Sequence, residues 1–131
     1  MNSDLLHIVG SWKQDEFVAA QAAILRVALK QQYFYPGDIP EDVAMESRQG
    51  VASNAWNSLR YLGLIERIDS DTRIIGLGIY GGRKRNTNPS AKGRWCAVYY
   101  LRSRPLAVAW LRRHGLPVVE QPAPKQTELA I

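Results

Sequence analysis

The hydrophobic pattern of this chain changes its period at Gly63, and this change constrains the fold more than any other feature. Before Gly63, apolar residues recur every three or four positions, which is the spacing of one face of an α-helix. After Gly63 come short apolar runs bounded by glycine, proline and asparagine, which are typical of β-strands. The sequence therefore predicts an α+β domain in which helices precede a set of short strands.

Two helices are predicted in the first third of the chain. Residues 15–32 carry apolar side chains at helical spacing, with polar side chains on the remaining faces. A short helix over 39–45 is predicted because Asp38 and Glu41 match a capping box, in which each side chain satisfies a backbone N–H of the first turn.

A third helix is predicted over 51–62. Ala55, Leu59 and Leu62 recur at steps of three and four, and Gly63 is the expected C-terminal cap. The other face of this helix carries only polar side chains, all able to form hydrogen bonds.

Three β-like segments follow, over 64–68, 73–80 and 95–102. Between the last two lies 81–94, which is rich in turn-forming residues and in cations. We interpret 73–80 and 95–102 as the arms of a hairpin with a long, flexible, basic tip.

A last helix is predicted from Ser103 to Arg113. Residues 116–131 contain three prolines and predict a flexible tail after a single domain over 1–115. The apolar residues of the last helix either pack on the domain's own core or form the seam of a homodimer: Leu106, Trp110 and Leu111.

Positive charge is concentrated in one part of the chain. Of the 17 lysines and arginines, nine lie in residues 83–114, which contain no aspartate or glutamate. Residues 1–50 instead have four basic and seven acidic residues. The net charge of +5 therefore comes from one stretch, and this distribution favours an anionic partner such as nucleic acid.

The order of helix, short helix, turn, helix and hairpin is that of a winged helix-turn-helix domain. The run Leu-Arg-Tyr-Leu-Gly-Leu-Ile over 59–65 resembles the ending common to recognition helices of that family. The hairpin resembles the family's wing, and the segment 86–94 is similar to that of small phage or mobile-element winged-helix proteins. This resemblance, over about 15–102, implies a three-helix core with a β-hairpin wing. It also implies a bacterial or phage protein that binds double-stranded DNA to regulate transcription or assist replication.

Two sets of residues are candidates for DNA contact. The helix over 51–62 would enter the major groove, where asparagine reads adenine and arginine reads guanine. Its candidate contacts, with two residues from the preceding turn, are Arg48, Gln49, Ser53, Asn54, Asn57, Ser58 and Arg60. The wing would follow phosphates with five cations: Arg83, Lys84, Arg85, Lys92 and Arg94.

The same residues are compatible with other roles. A polar helix face and a run of charges are common on surfaces that are simply solvated. A winged helix can also recruit a protein partner without touching DNA. RNA is a third partner, which would require an exposed aromatic platform formed by Tyr80, Trp95 and Tyr99.

Little in the sequence favours catalysis. The run Gly76–Gly81 matches G-x-G-x-x-G, but a basic, proline-containing loop follows it in place of a helix, so a dinucleotide site is not expected. Cys96 lies in an alternating segment that predicts a buried thiol. The acids Glu66, Asp69 and Asp71 surround a turn. We therefore expect no enzymatic activity, no cofactor and no metal site.

One cysteine excludes an internal disulfide, and the N-terminus lacks the basic and apolar regions of a signal peptide. The most apolar stretch, 17–29, is interrupted by Gln21 and Arg26. We therefore expect a cytoplasmic protein with no membrane partner.

Overall fold

A computed structural model describes residues 3–39 and 51–118 of the chain. Within these ranges it has three α-helices and two small antiparallel sheets, which confirms the α+β class. Outside the described residues lie nearly all of the short helix predicted over 39–45 and the candidate contacts Arg48 and Gln49.

The first helix is longer than predicted. Helix α1 covers Ser3–Lys30, whereas the pattern predicted a start near residue 15. Leu5 and Trp12 continue the helical spacing toward the N-terminus, and a glycine within a helix costs only about 1 kcal/mol. The 28 residues of α1 span about 42 Å.

Helix α2 covers Val51–Tyr61 and ends as the sequence predicts. Gly63 has a φ of +75°, and its N–H donates to the carbonyl of Arg60 at 3.0 Å. The N–H of Leu64 donates to the carbonyl of Leu59, also at 3.0 Å. These two bonds form a Schellman motif, in which the positive φ favours glycine. Leu59 and Leu64 are both buried, so the cap also aims the following strand into the core.

Helix α3 covers Arg104–Arg113, and Ser103 caps it as predicted. The Ser103 hydroxyl accepts a hydrogen bond from the N–H of Leu106 at 3.3 Å. Trp110 and Leu111 are buried in the chain's own core, while Leu106 is 53% exposed. Of the two interpretations of this helix, packing on its own core therefore holds for Trp110 and Leu111.

The first residues of the predicted tail contact the main core. Leu116 and Val118 pack against the main core, so the packed chain extends past the predicted domain end at residue 115. Residues 119–131 lie outside the described part of the chain.

Six short strands are assigned in the described residues: β1 (Tyr33–Phe34), β2 (Ile65–Arg67), β3 (Ile79–Tyr80), β4 (Arg83–Arg85), β5 (Trp95–Ala97) and β6 (Tyr99–Leu101). They form two antiparallel sheets, with strand orders β1-β6-β2 and β3-β4-β5. The first sheet packs on the helices, and the second is formed by the chain segment that connects β2 to β6.

The main core joins the three helices to the first sheet. At its centre, the ring of Trp56 in α2 stacks on Tyr99 with centroids 4.6 Å apart, and on Phe34 at 5.9 Å. Phe34 and Tyr99 are also cross-strand partners of β1 and β6. Because Trp56 lies on the buried face of α2, the opposite face of that helix is turned to solvent.

We call residues 68–98 the wing, because they leave the first sheet after β2 and return to it at β6. The predicted hairpin of 73–80 with 95–102 is wrong in its pairing. Strand β4, which belongs to the predicted flexible tip, lies between β3 and β5 and is hydrogen-bonded to both. The tip is therefore partly the central strand of a second sheet.

The alternation of side chains along the segment 95–102 is interrupted at Val98, which explains why the segment is divided between two sheets. Val98 and its neighbour Tyr99 are both buried, although alternate residues of a strand point to opposite faces. Val98 packs in a small second core with Tyr35 and Ile79, whereas Tyr99 packs in the main core. The wing thus has an apolar core of its own.

Candidate nucleic-acid interface

Helix α2 presents a polar face to solvent. Four of the five candidate residues on this helix are exposed: Ser53, Asn54, Asn57 and Arg60. Ala55 and Leu59, on the other side, are fully buried. The exposed face offers hydroxyl, amide and guanidinium groups within about two turns, and these groups can form hydrogen bonds with base edges.

Ser58, the fifth candidate, has a different environment. Its hydroxyl donates to the carbonyl of Ala55 at 2.8 Å and accepts from the side-chain amide of Gln21 at 2.9 Å. Gln21 belongs to α1 and is buried. Ser58 therefore joins two helices, and we leave it out of the candidate surface.

The end of α2 also exposes apolar area. Tyr61 is 92% exposed. Leu62, the next residue, follows the helix and is also exposed. Neither side chain is needed by the core. They extend the accessible surface of α2 beyond its polar face.

The second sheet has one face open to solvent. Directly paired residues of an antiparallel sheet lie on the same face. The register pairs Tyr80 with Arg83 and Arg85 with Trp95, and the alternation along β4 places all four on one side. All four are exposed, and we call them the open face.

Two aromatic rings meet on the open face. Tyr80 and Trp95 are 42% and 47% exposed, and their ring centroids are 6.2 Å apart in an edge-to-face arrangement. The guanidinium carbon of Arg73 lies 5.7 Å from the centroid of the Tyr80 ring. Tyr99, the third ring of the RNA platform considered from the sequence, is buried in the main core instead.

Arg73 was missed by the sequence interpretation. The bridge between Ile74 and Ile79 closes a tight turn, which places Arg73 opposite Tyr80. The signal for this turn is the pair of glycines at 76 and 78 between two isoleucines. The sequence predicts one β-like segment over 73–80 in which the glycines permit a bend or bulge, and the structure has a 3₁₀ turn over Ile75–Leu77 at that point.

Lys84 lies on the inner face of the second sheet, unlike its neighbours in β4. It is paired with Ile79 and Cys96, which pack against the second core. Its ammonium nitrogen lies 4.9 Å from the centroid of the Tyr35 ring, which is a cation–π distance. Lys84 therefore attaches the wing to the rest of the protein, whereas Arg83 and Arg85 face outward.

Tyr35 and Asp38 complete this attachment. The Tyr35 hydroxyl donates to the carbonyl of Arg85 at 3.2 Å. The Asp38 carboxylate accepts from the N–H of Tyr35 at 3.1 Å and from the amide of Gln31 at 2.9 Å. Burial raises the pKa of both side chains above their ordinary values, and the charge of Asp38 adds to the effect on Tyr35.

The turn between β3 and β4 requires glycine. Gly82 has a φ of +70°, and a Cβ atom there would lie 2.7 Å from the carbonyl oxygen of Asp69. The Gly82 N–H donates to the carbonyl of Thr72 at 3.0 Å, and its carbonyl accepts from Val98 at 3.1 Å. This close backbone contact positions the open face relative to β6.

The segment 86–94 is folded back on itself. The N–H of Asn86 donates to the carbonyl of Arg94 at 2.8 Å, and its buried side chain accepts from the N–H of Asn88 at 3.0 Å. A 3₁₀ turn over Pro89–Ala91 follows, and Lys92 takes a left-handed conformation with φ +53°. The side chains of Lys92 and Arg94 are exposed at this end of the wing.

The wing contains few acidic residues. The acids of the wing are confined to its first turn, Asp69 and Asp71, and no acidic residue follows them in the described chain. The ion pair between Arg102 and Glu66, at 3.6 Å, lies on the first sheet. Four candidate cations are thus exposed in an acid-free part of the sequence: Arg83, Arg85, Lys92 and Arg94.

A cleft of about 670 Å³ opens beside the outer face of the first sheet. Its lining includes Glu66 and Asp69 together with Arg67 and Arg104. Its volume suits a small molecule. Because both signs of charge line it, the cleft does not provide the uniformly positive surface that favours a polyanion.

The sequence features set aside above have structural explanations. The run Gly76–Gly81 covers the end of a 3₁₀ turn, strand β3 and the start of the turn into β4, which is a strand and not a helix. Cys96 is half-buried against the second core. Within the described residues, no three metal-ligating side chains are grouped closely enough to hold an ion.

None of the helices in the described part of the chain combines the length and apolar character needed to cross a membrane. Comparison of this chain with models of protein families, with characterised proteins and with solved structures gave no match.

Proposed function

We propose that this protein is a winged helix that binds double-stranded DNA, with α2 in the major groove and the wing on the phosphate backbone. The observation that carries the proposal is the set of four exposed wing cations, two of which, Arg83 and Arg85, lie on strand β4, in a part of the chain without acidic residues. A surface of one charge sign attracts a polyanion and contributes most of the affinity for nucleic acid.

The chain topology supports this assignment. Helix α2 passes through the Gly63 cap directly into β2, and the wing then connects β2 to β6. Strand β1 completes the sheet on the other side of β6. This order of helix, strand, helix and wing-bearing strands is the one expected of a winged helix, in which the recognition helix and the wing are consecutive.

The two surfaces have different chemistry and would do different work. Asn54, Asn57 and Arg60 carry the groups that hydrogen-bond adenine and guanine edges, so α2 would contribute sequence preference. The cations of the wing would contact phosphates, which position a protein on DNA without distinguishing sequences.

The proposal is tested by fluorescence anisotropy with a labelled random duplex at two salt concentrations. If four wing cations contact phosphates, the slope of log affinity against log salt approaches about −3.6. We expect the double variant Arg83→Ala/Arg94→Ala to reduce that slope by about 1.8. A matched double variant on the exposed side of α1, Arg26→Ala/Lys30→Ala, removes the same charge and should keep the slope.

Equal salt slopes for the wing variant and the α1 variant would overturn the proposal. Such a result would mean that only net charge matters, without a defined contact surface.

A second function, recruitment of a protein partner, is favoured by the exposed Tyr61 and Leu62 at the end of α2. This alternative predicts that changes at Asn54 and Asn57 disturb a pull-down while duplex binding is undetectable at low salt. The anisotropy titration at low salt therefore distinguishes the two functions.

A further inference from the structure

We infer that the open face of the second sheet binds unpaired nucleotides, with bases stacked on Tyr80 and Trp95; this rests on the proposed binding of nucleic acid. Duplex phosphates would explain the arginines of this face, but they leave the two rings without a role. Bases inside a duplex are stacked on each other, whereas an unpaired base has a free π-face.

The fold itself does not need these rings. The second sheet is held by its inner face, where Ile79 and Val98 are each about 1% exposed in the second core. Tyr80 and Trp95 stand on the opposite side, across β4, and leave about half of their surface in water. Large apolar rings grouped on a surface commonly mark a binding site.

The surroundings of the rings favour nucleic acid over other partners. Arg83 and Arg85 lie on the same face as the rings, and Arg73 lies against Tyr80. Aromatic rings set among arginines, without carboxylates on the same face, form the surface that single-stranded nucleic acids bind: cations follow the backbone and rings stack on bases.

The inference is tested with the full chain and four labelled nucleic-acid probes of equal length. The first is an oligo(dT), the second is an abasic strand with the same phosphates, and the third is a blunt duplex. Because DNA and RNA offer the same stacking chemistry, the fourth probe, oligo(U), is compared with oligo(dT) to show which of the two binds more tightly. We expect oligo(dT) or oligo(U) to bind more tightly than the abasic strand.

Trp95→Ala and Tyr80→Ala should each weaken binding of the base-bearing strand by about 5- to 150-fold and leave the abasic strand unaffected. Trp95→Phe keeps a stacking ring and should restore most of the affinity, whereas Trp95→Leu should not. Leu106→Ala, which removes an exposed apolar side chain outside the wing, is the control. Thermal unfolding of each variant checks that the fold is intact.

Three results overturn the inference: no loss in the two alanine variants, an equal loss for the abasic strand, or ring-dependent binding to anionic vesicles in place of oligonucleotides. The duplex probe separates this inference from the proposed function. Duplex binding that depends on Arg83 and Arg94 but not on the rings retains the proposed function and rejects stacking. Ring-dependent binding of single strands without duplex binding retains the stacking inference and rejects the proposed function.

Discussion

The hydroxyl of Tyr35 donates a hydrogen bond to the main-chain carbonyl of Arg85, at 3.2 Å. Tyr35 follows β1 of the first sheet, and Arg85 ends the central strand of the second. The same ring is covered by the ammonium group of Lys84 at 4.9 Å. One tyrosine therefore contacts the central strand of the wing in two ways and holds it against the first sheet.

Tyr35→Phe should reduce stability at pH 7 by about 1 kcal/mol, because it leaves the Arg85 carbonyl without this donor. Urea denaturation measures the change. Tyr33→Phe is the control, since Tyr33 lies two positions earlier, is half-buried, and its hydroxyl forms no hydrogen bond within the described residues. An equal loss in both variants would refute the role assigned to the Tyr35 hydroxyl.

The cost of Tyr35→Phe should also depend on pH. Burial raises the pKa of Tyr35 in the folded protein, so the folded state holds the phenol proton more tightly than the unfolded state. The resulting stability is present below the ordinary tyrosine pKa, near 10, and is lost as pH rises through the folded value. The difference between wild type and Tyr35→Phe should therefore shrink from pH 8 to pH 11, and a difference that stays constant would contradict this linkage.

Gly82→Ala should destabilise the protein more than Gly81→Ala. Both glycines have positive φ, but a Cβ on Gly82 would lie 2.7 Å from the Asp69 carbonyl oxygen, whereas a Cβ on Gly81 has an ordinary contact at 3.6 Å. We expect about 1–2 kcal/mol for Gly81→Ala from backbone strain alone, and a larger loss for Gly82→Ala. Chemical denaturation of the two variants provides the comparison, and equal losses would show that the turn can relax away from Asp69.

Two adjacent residues of α2 should behave in opposite ways. Ser58→Ala removes the hydroxyl that accepts from the buried Gln21 amide, so it should reduce stability by about 1–3 kcal/mol with little effect on duplex affinity. Asn57→Ala should weaken binding to a selected DNA site by about 1–3 kcal/mol and change stability little. Unfolding and anisotropy measurements on both variants provide the comparison, and a reversed pattern would contradict the roles assigned to the two residues.

Arg83 and Lys84 form a similar pair in β4. Arg83→Ala should make the salt slope of duplex binding less steep by about 0.9 and change stability by less than about 0.5 kcal/mol. Lys84→Ala should leave the slope unchanged and reduce stability by about 0.5–1 kcal/mol, because its cation–π contact with Tyr35 is lost. A reduced slope for Lys84→Ala would place that side chain on the DNA-binding surface.

The C-terminal end of α2 and the N-terminal end of α3 were predictable because their signals are local. The Gly63 cap depends on a positive φ and on contacts within six residues, and the Ser103 cap depends on a hydroxyl three residues before its partner. Periodicity likewise placed Ala55 and Leu59 in the core. The predicted first helix was too short because the helical spacing of Leu5 and Trp12, which continues toward the N-terminus, was not included.

Strand pairing in the wing was not predictable in the same way. A period of two tells which residues share a face but not which strand lies beside them. Nothing in Arg83-Lys84-Arg85 is typical of a strand, and these residues adopt one because β3 and β5 supply partners on both sides. The candidate site shows the same limit, because the charge pattern identified the wing cations but not which of them face outward.

The sequence alone determined the α+β order of elements, the Gly63 and Ser103 caps and the concentration of positive charge after residue 82, since each depends on neighbouring residues or on composition. Only the tertiary structure decided that Lys84 turns inward, that Ser58 is held by Gln21, and that Tyr80 and Trp95 meet across β4. These contacts join residues distant in the chain, and they depend on the packing of two separate cores, which no local pattern specifies.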